Sequence, residues 1–365
     1  MIAAGLDGTG LIRPVPRGMW VVTAGVVLLL QVVWAIPQPD PWPELRPAPN
    51  RARVLVTEAP GTTFQFAPQP AAVSNLVARG LMELTGRATP REAWHSLVST
   101  QDTLGIKVFS RPGAISGTRP PVVEAVVASL LEAGWHPGHL VLWDRHLSDL
   151  RLAGFFEIAQ RYGIRVAGSA ESGFTPDIYY ETPLIGQLVW GDLEFGQSGP
   201  AIGRRSFAAR LVASDMQRII SIVPLLNNNE AAISGHNWGL ALASMDNTLR
   251  FESTRGRLAE AVPEILALEG LDLAERLVLA ITDAMLCQYQ GEERQLLHYS
   301  TVLDQLWFSV DPVALDVLGV IEIERQRRAH GLPSRKPDLT LLENCSLLEL
   351  GISDTNRIDV TRVRF

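Results

Sequence analysis

Lysine is nearly missing from this chain. Of 32 basic residues among 365, only Lys107 and Lys336 are lysines and the rest are arginines. Where arginine is the default cation, a lysine inside an apolar run marks a place suited to a compact ammonium. Lys107 is such a case, standing in the strand-like run 104–109, where a charge needs a partner. Lys336 lies in a polar, proline-flanked loop.

Cysteine is as scarce. Cys287 and Cys345 are too few for an iron–sulfur module, and their spacing matches no zinc pattern. They read either as a pair in an exported protein or as two isolated buried thiols. Charged residues make up 19% of the chain, and the formal net charge is −7. That balance excludes a general nucleic-acid binder, which needs a basic face. The motifs of serine hydrolases, nucleotide-binding loops, dinucleotide folds and zinc hydrolases are all missing.

What is present begins with an address. Arg13 and Arg17 precede an almost wholly apolar stretch over 19–36, and prolines then alternate with polar residues. The pattern divides the chain into an n-region (1–18), a signal peptide or transmembrane anchor (19–36), an extended spacer (37–50) and a domain (51–365). The partner this implies is a membrane, reached through the N-terminal segment, with the domain on the extracytoplasmic side.

Within the domain, helical and strand signals alternate, which predicts an α/β fold with a mixed or mostly parallel sheet flanked by helices. Helices are expected over 90–98, 120–133, 147–164 with a break near Gly154, 258–268 and 312–330. Strands are expected over 104–109, 139–143, 219–223, 276–281, 307–310 and 357–365. The Gly-, Pro- and aromatic-rich stretch 168–203 reads as a long functional loop or a small hairpin.

Three apolar runs finish on an aspartate: Asp144, Asp283 and Asp311. Open α/β sheets bind ligands at the carboxyl edge of their strands, so these acids are expected to gather there. Asp311 with Pro312 also reads as an N-cap and first-turn proline. Asp316 lies among Val313, Val320 and Ile323 of the following helix, and a carboxylate on an apolar flank needs a donor, a cation or a proton. Asp283, Asp311 and Asp316 are therefore the candidate ligands of a hard divalent cation, the one cofactor these residues suggest. Lys107, Asp144, Asn227 and Asn229 complete the candidate binding set for a small polar ligand. No residue is assigned a catalytic role, and the asparagines also read as turn formers.

Several stretches together resemble the domain of unknown function 362 family. They are Gly105-Ile-Lys-Val108, Pro120-Pro-Val-Val-Glu124, Leu140-Val-Leu-Trp-Asp-Arg145, Ile222-Val-Pro-Leu-Leu226, Gln288-Tyr-Gln-Gly291 and Ser309-Val-Asp-Pro-Val-Ala-Leu-Asp316. Exported members with an N-terminal signal are common in that family, so the resemblance implies the same location as the address. It also implies a change of ligand or a degenerate site. Relatives carry a Lys-x-His element where Asn227–Asn229 stand and a Lys-Asn pair near Gly239-Leu240, and some add cysteine clusters that this chain lacks. Two functions follow: an extracytoplasmic enzyme or ligand-binding domain using Asp283, Asp311, Asp316 and Lys107, or a non-catalytic anchored scaffold that keeps the acids for structure.

Overall fold

The computed structural model describes residues 50–182, 204–252, 254–333 and 336–365. The expected apolar segment 19–36 and nearly all of the spacer lie outside the described residues. Among the described residues no helix is long and apolar enough to cross a membrane.

The strands in chain order are β1 (Ala52–Glu58), β2 (Thr63–Phe64), β3 (Ala67–Pro68), β4 (Leu104–Val108), β5 (Leu140–Asp144) and β6 (Arg165–Gly168). They continue with β7 (Phe174–Glu181), β8 (Arg205–Ala209), β9 (Arg218–Asn228), β10 (Ala232–Ile233), β11 (Leu277–Gln288), β12 (Ser300–Ser309) and β13 (Ile358–Arg364). The main sheet runs β13-β1-β12-β11-β9-β4-β5-β6, with the short β10 paired to β9. Along that path β12 runs antiparallel to both its neighbours and every other pairing is parallel. The expected α/β class and mostly parallel sheet are thus borne out. β2 with β3, and β7 with β8, form two small antiparallel pairs.

Near-continuous apolar sequence suits these strands because helices cover both faces of the sheet. Alternation sorts the side chains: Leu104, Ile106, Ile220, Ile222, Leu279 and Ile281 enter one core, and their neighbours enter the other. The first core is closed by the helices Pro70–Thr85, Pro90–Leu97, Pro120–Ala133 and Phe155–Tyr162. The second is closed by His236–Ser244, Arg255–Leu266, Pro312–Ala329 and Thr340–Leu347.

Local chemistry sets the helix ends. Thr89 caps the Pro90–Leu97 helix by accepting the Glu92 N–H, and Pro90 opens it with its fixed φ. The Pro120–Ala133 helix stops at Gly134, whose φ of 110° a side chain resists. The helical stretch expected over 147–164 is two helices, Leu147–Leu152 and Phe155–Tyr162, divided at Gly154 as expected.

Two strands run past their expected ends. β9 runs through Pro224 to Asn228, so Asn227 and Asn228 belong to a strand and not to a turn. The missing proline N–H is tolerated because the β9–β11 register shifts between Asp283 and Cys287. β11 likewise continues to Gln288, so Asp283 is interior to its strand rather than terminal. The loop 168–203 does contribute a hairpin strand, β7, paired with β8; residues 183–203 lie outside the described residues. Cys287 and Cys345 are separate, free and buried thiols.

Candidate functional site

The aspartates do not gather. Strand β12 runs antiparallel, so Asp311 at its end lies toward the amino ends of the parallel strands, opposite Asp144 at the carboxyl end of β5. Asp311 is an N-cap: its Oδ1 accepts the Ala314 N–H and its Oδ2 the Ile352 N–H, at 2.9 Å each. Asp283 is held on the other face, where the Arg119 guanidinium stands 3.0 Å from its Oδ2. It also accepts the backbone N–H groups of Arg119 and Met285, the latter freed from the ladder by the bulge.

Asp316, on the helix of the second core, accepts three hydrogen bonds at the start of the His236–Ser244 helix. These come from the His236 N–H (2.9 Å), the Asn237 N–H (3.0 Å) and the Asn237 Nδ2 (2.7 Å). It therefore satisfies first-turn amides that the helix cannot pair itself. Gly235 permits the approach, since a Cβ there would lie 2.3 Å from the carboxylate. Burial nevertheless pushes the Asp316 carboxyl up to about 6, against the lowering effect of those donors. Asp311 is also raised by burial.

The expected cation site of Asp283, Asp311 and Asp316 is thereby corrected. Period-two alternation sends Asp283 to one face of the sheet while Asp316 sits on a helix packed against the other. Among the described residues no group of three or more His, Cys, Asp or Glu is placed to hold a metal ion.

Lys107 and Asp144 do come together. Lys107, 1% exposed, places its Nζ 3.0 Å from Asp144 Oδ1 and donates to the Val108 carbonyl at 2.7 Å. The other carboxylate oxygen accepts from both the backbone N–H and the hydroxyl of Ser110. Lys107 continues into a buried polar row, in which His236 bridges Ser221 Oγ (2.8 Å) and Thr282 Oγ1 (3.1 Å). Burial, helped by the nearby Lys107 charge, lowers His236 to about 3, so it is neutral. These groups are sealed and mutually satisfied, which suits a scaffold beneath a site more than the site itself.

The site that sequence reading missed lies above them. Strands β4 and β9 are neighbours, yet the chain leaves β4 through helices on one face and β9 through helices on the other. Such a reversal opens a crevice at the carboxyl ends of the strands. A cleft of about 330 Å³ occupies it, within the size range of small-ligand pockets. Glu230, Glu252, Glu292 and Glu293 line it together with Arg111 and Arg294. Trp238, edge-on to Phe109 at 5.4 Å, and Asn228 at the end of β9 also line it. Arg111 pairs with Glu293 at 2.9 Å, and burial raises the Glu293 carboxyl despite that pairing. Glu252 bonds to Thr248 and stands 3.4 Å from Arg145. Sequence carried one signal for this cleft, the charged run Glu292-Glu293-Arg294.

Asn227 and Asn229 line a separate, smaller cavity that Asn228 also borders. No family model matches the sequence, and no curated protein matches it. Among solved structures the chain is similar to a Thermotoga maritima protein known from its crystal structure, at 10% identity and a TM-score of 0.38. The match covers 73% of this chain and 60% of that one. A likeness so distant carries no argument about family or function.

Proposed function

We propose that the domain binds a small polar molecule bearing an amino or other cationic group in the cleft at the carboxyl edge of β4 and β9. One observation carries this reading: four carboxylates and only two guanidiniums line the cleft, with the indole of Trp238. An excess of acids favours a positively charged guest, and an indole adds cation–π attraction. A bare metal ion fits less well, because it needs converging oxygens and Glu293 and Glu252 are already engaged with arginines. Lys107 and Asp144 serve beneath the cleft as a paired charge that fixes the ends of β4 and β5, while Asp283, within β11, is paired with Arg119. The N-terminal address and the resemblance to the domain of unknown function 362 family favour a domain held outside the membrane that meets this ligand there.

Thermal unfolding in the presence of putrescine, arginine, glycine betaine, magnesium and glucose tests the reading. At least one of the organic cations should raise the melting temperature in a saturable way, and Glu252→Gln or Trp238→Ala should abolish that rise. Equal shifts in the variants, or no shift with any organic cation, would overturn it. The scaffold reading draws on a different observation: every candidate aspartate spends its oxygens on donors within the protein.

A further inference from the structure

The smaller cavity beside the cleft has the opposite character. It measures about 60 Å³ and is lined by Asn227, Asn229, Arg255, Arg327, Lys336 and Asp338, with one face of the Pro312–Ala329 helix behind. A water needs roughly 10–15 Å³ by this measure, so the space holds about four or five waters. That is also the room one tetrahedral oxyanion requires. We propose that this cavity is a binding site for a small oxyanion of the phosphate type.

Donors converge on it from separate elements. Arg255 is oriented by Asp338 at 2.8 Å and by the Asn229 carbonyl at 2.5 Å. Arg327 donates one Nη to the Tyr289 carbonyl, while its Nε is buried without a hydrogen bond, 3.5 Å from Glu324. With its paired carboxylate 3.5 Å away, the Arg327 Nε still has hydrogen-bonding capacity for a closer acceptor in the cavity. The Oδ1 of Asn227, a residue 5% exposed, accepts the Glu292 N–H at 3.0 Å, which leaves its Nδ2 as the group offered to a guest. Lys336 forms no ion pair with any described residue.

Three cations against Glu324 and Asp338 leave the lining one positive charge in excess. Arginine forks and a mobile ammonium are the usual partners of phosphate oxygens. The charge balance and donor set oppose a cation here as firmly as the neighbouring cleft opposes an anion. The inference is independent of the proposed cleft ligand, since the two cavities share only Asn228 and their charges differ in sign.

The test is calorimetric titration of the full-length protein with inorganic phosphate, sulfate serving as a second tetrahedral probe and chloride as the ionic-strength control. Saturable phosphate binding is expected, weakened about tenfold or more by Lys336→Met and by Arg327→Gln, and unchanged by Trp238→Ala. Lys336 is an exposed loop residue, so its replacement leaves the fold intact and keeps the test decisive if Arg327→Gln does not fold. The proposal is overturned by any of three results. One is no saturable heat with phosphate or sulfate; another is equal binding in wild type and Lys336→Met. The third is a loss caused by Trp238→Ala as large as that caused by Lys336→Met.

Discussion

Replacing Lys107 with methionine removes one member of an ion pair that water hardly reaches. Its side chain is 1% exposed and that of Asp144 is 7% exposed, with 3.0 Å between the charges. Methionine fills much the same volume, so the loss is chiefly electrostatic. The remaining carboxylate keeps the two Ser110 donors but loses its countercharge, and breaking such a buried pair costs about 3–5 kcal/mol. At about 2.1 cal/mol/K per residue, a domain of roughly 315 residues has an unfolding entropy near 0.66 kcal/mol/K. The melting temperature should therefore fall by about 5–8 °C.

Asp144→Asn should also destabilise, because it leaves the ammonium buried against a neutral amide. The double replacement leaves neither charge, and contacting pairs couple by about 0.5–3 kcal/mol. Urea denaturation of the four proteins gives the coupling directly. The double variant should cost less than the sum of the singles by about 2 kcal/mol. Strict additivity, or a Lys107→Met protein within about 1 kcal/mol of wild type, would refute a buried pair that holds the ends of β4 and β5.

Asp316 and His236 should oppose each other in the acid range. Neutral His236, lowered to about 3, contributes stability that is present above its unfolded value near 6.5 and lost as pH falls. Asp316, raised to about 6, binds its proton more tightly when folded, so its contribution is present below about 4 and lost as pH rises. Between about pH 4 and 6 the slopes cancel, and Asp316→Asn should lose about 1.4 kcal/mol per pH unit relative to wild type on acidification. Parallel stability curves for the two proteins would contradict this. Gly235→Ala pushes a methyl against the Asp316 carboxylate and should cost about 1–3 kcal/mol by calorimetry. Asp304→Ala frees the Gly61 and Thr63 N–H groups it accepts at 2.7 Å each and should cost about 1–3 kcal/mol in urea.

Much of the fold was legible because it rests on local signals. Proline at the first helical position, glycine past the last, and apolar runs of strand length mark the Pro120–Ala133 helix, β4 and β5 within a residue or two. The direction of β12 was not legible, since an apolar run reads alike either way, and that direction decides where Asp311 stands. Lys107 was found because a lysine in a strand needs a partner, and Asp144 is that partner. The cleft escaped because its residues come from six separate segments whose convergence depends on strand order. Arg119 escaped for a related reason. It reads as an ordinary helix-start residue until the fold brings it beside Asp283 of β11.

The central claim is that the carboxyl-edge cleft binds a small organic cation. The most direct measurement is the indole N–H signal of Trp238 in a nitrogen-15 correlation spectrum, assigned by its disappearance in Trp238→Phe. Titrating the cation that stabilises the protein most should move that signal saturably. The indole of Trp94, which donates to Ser129 beneath the opposite helical layer, should stay in place. A ligand that stabilises the protein while leaving Trp238 unmoved would put the binding site elsewhere and contradict the account.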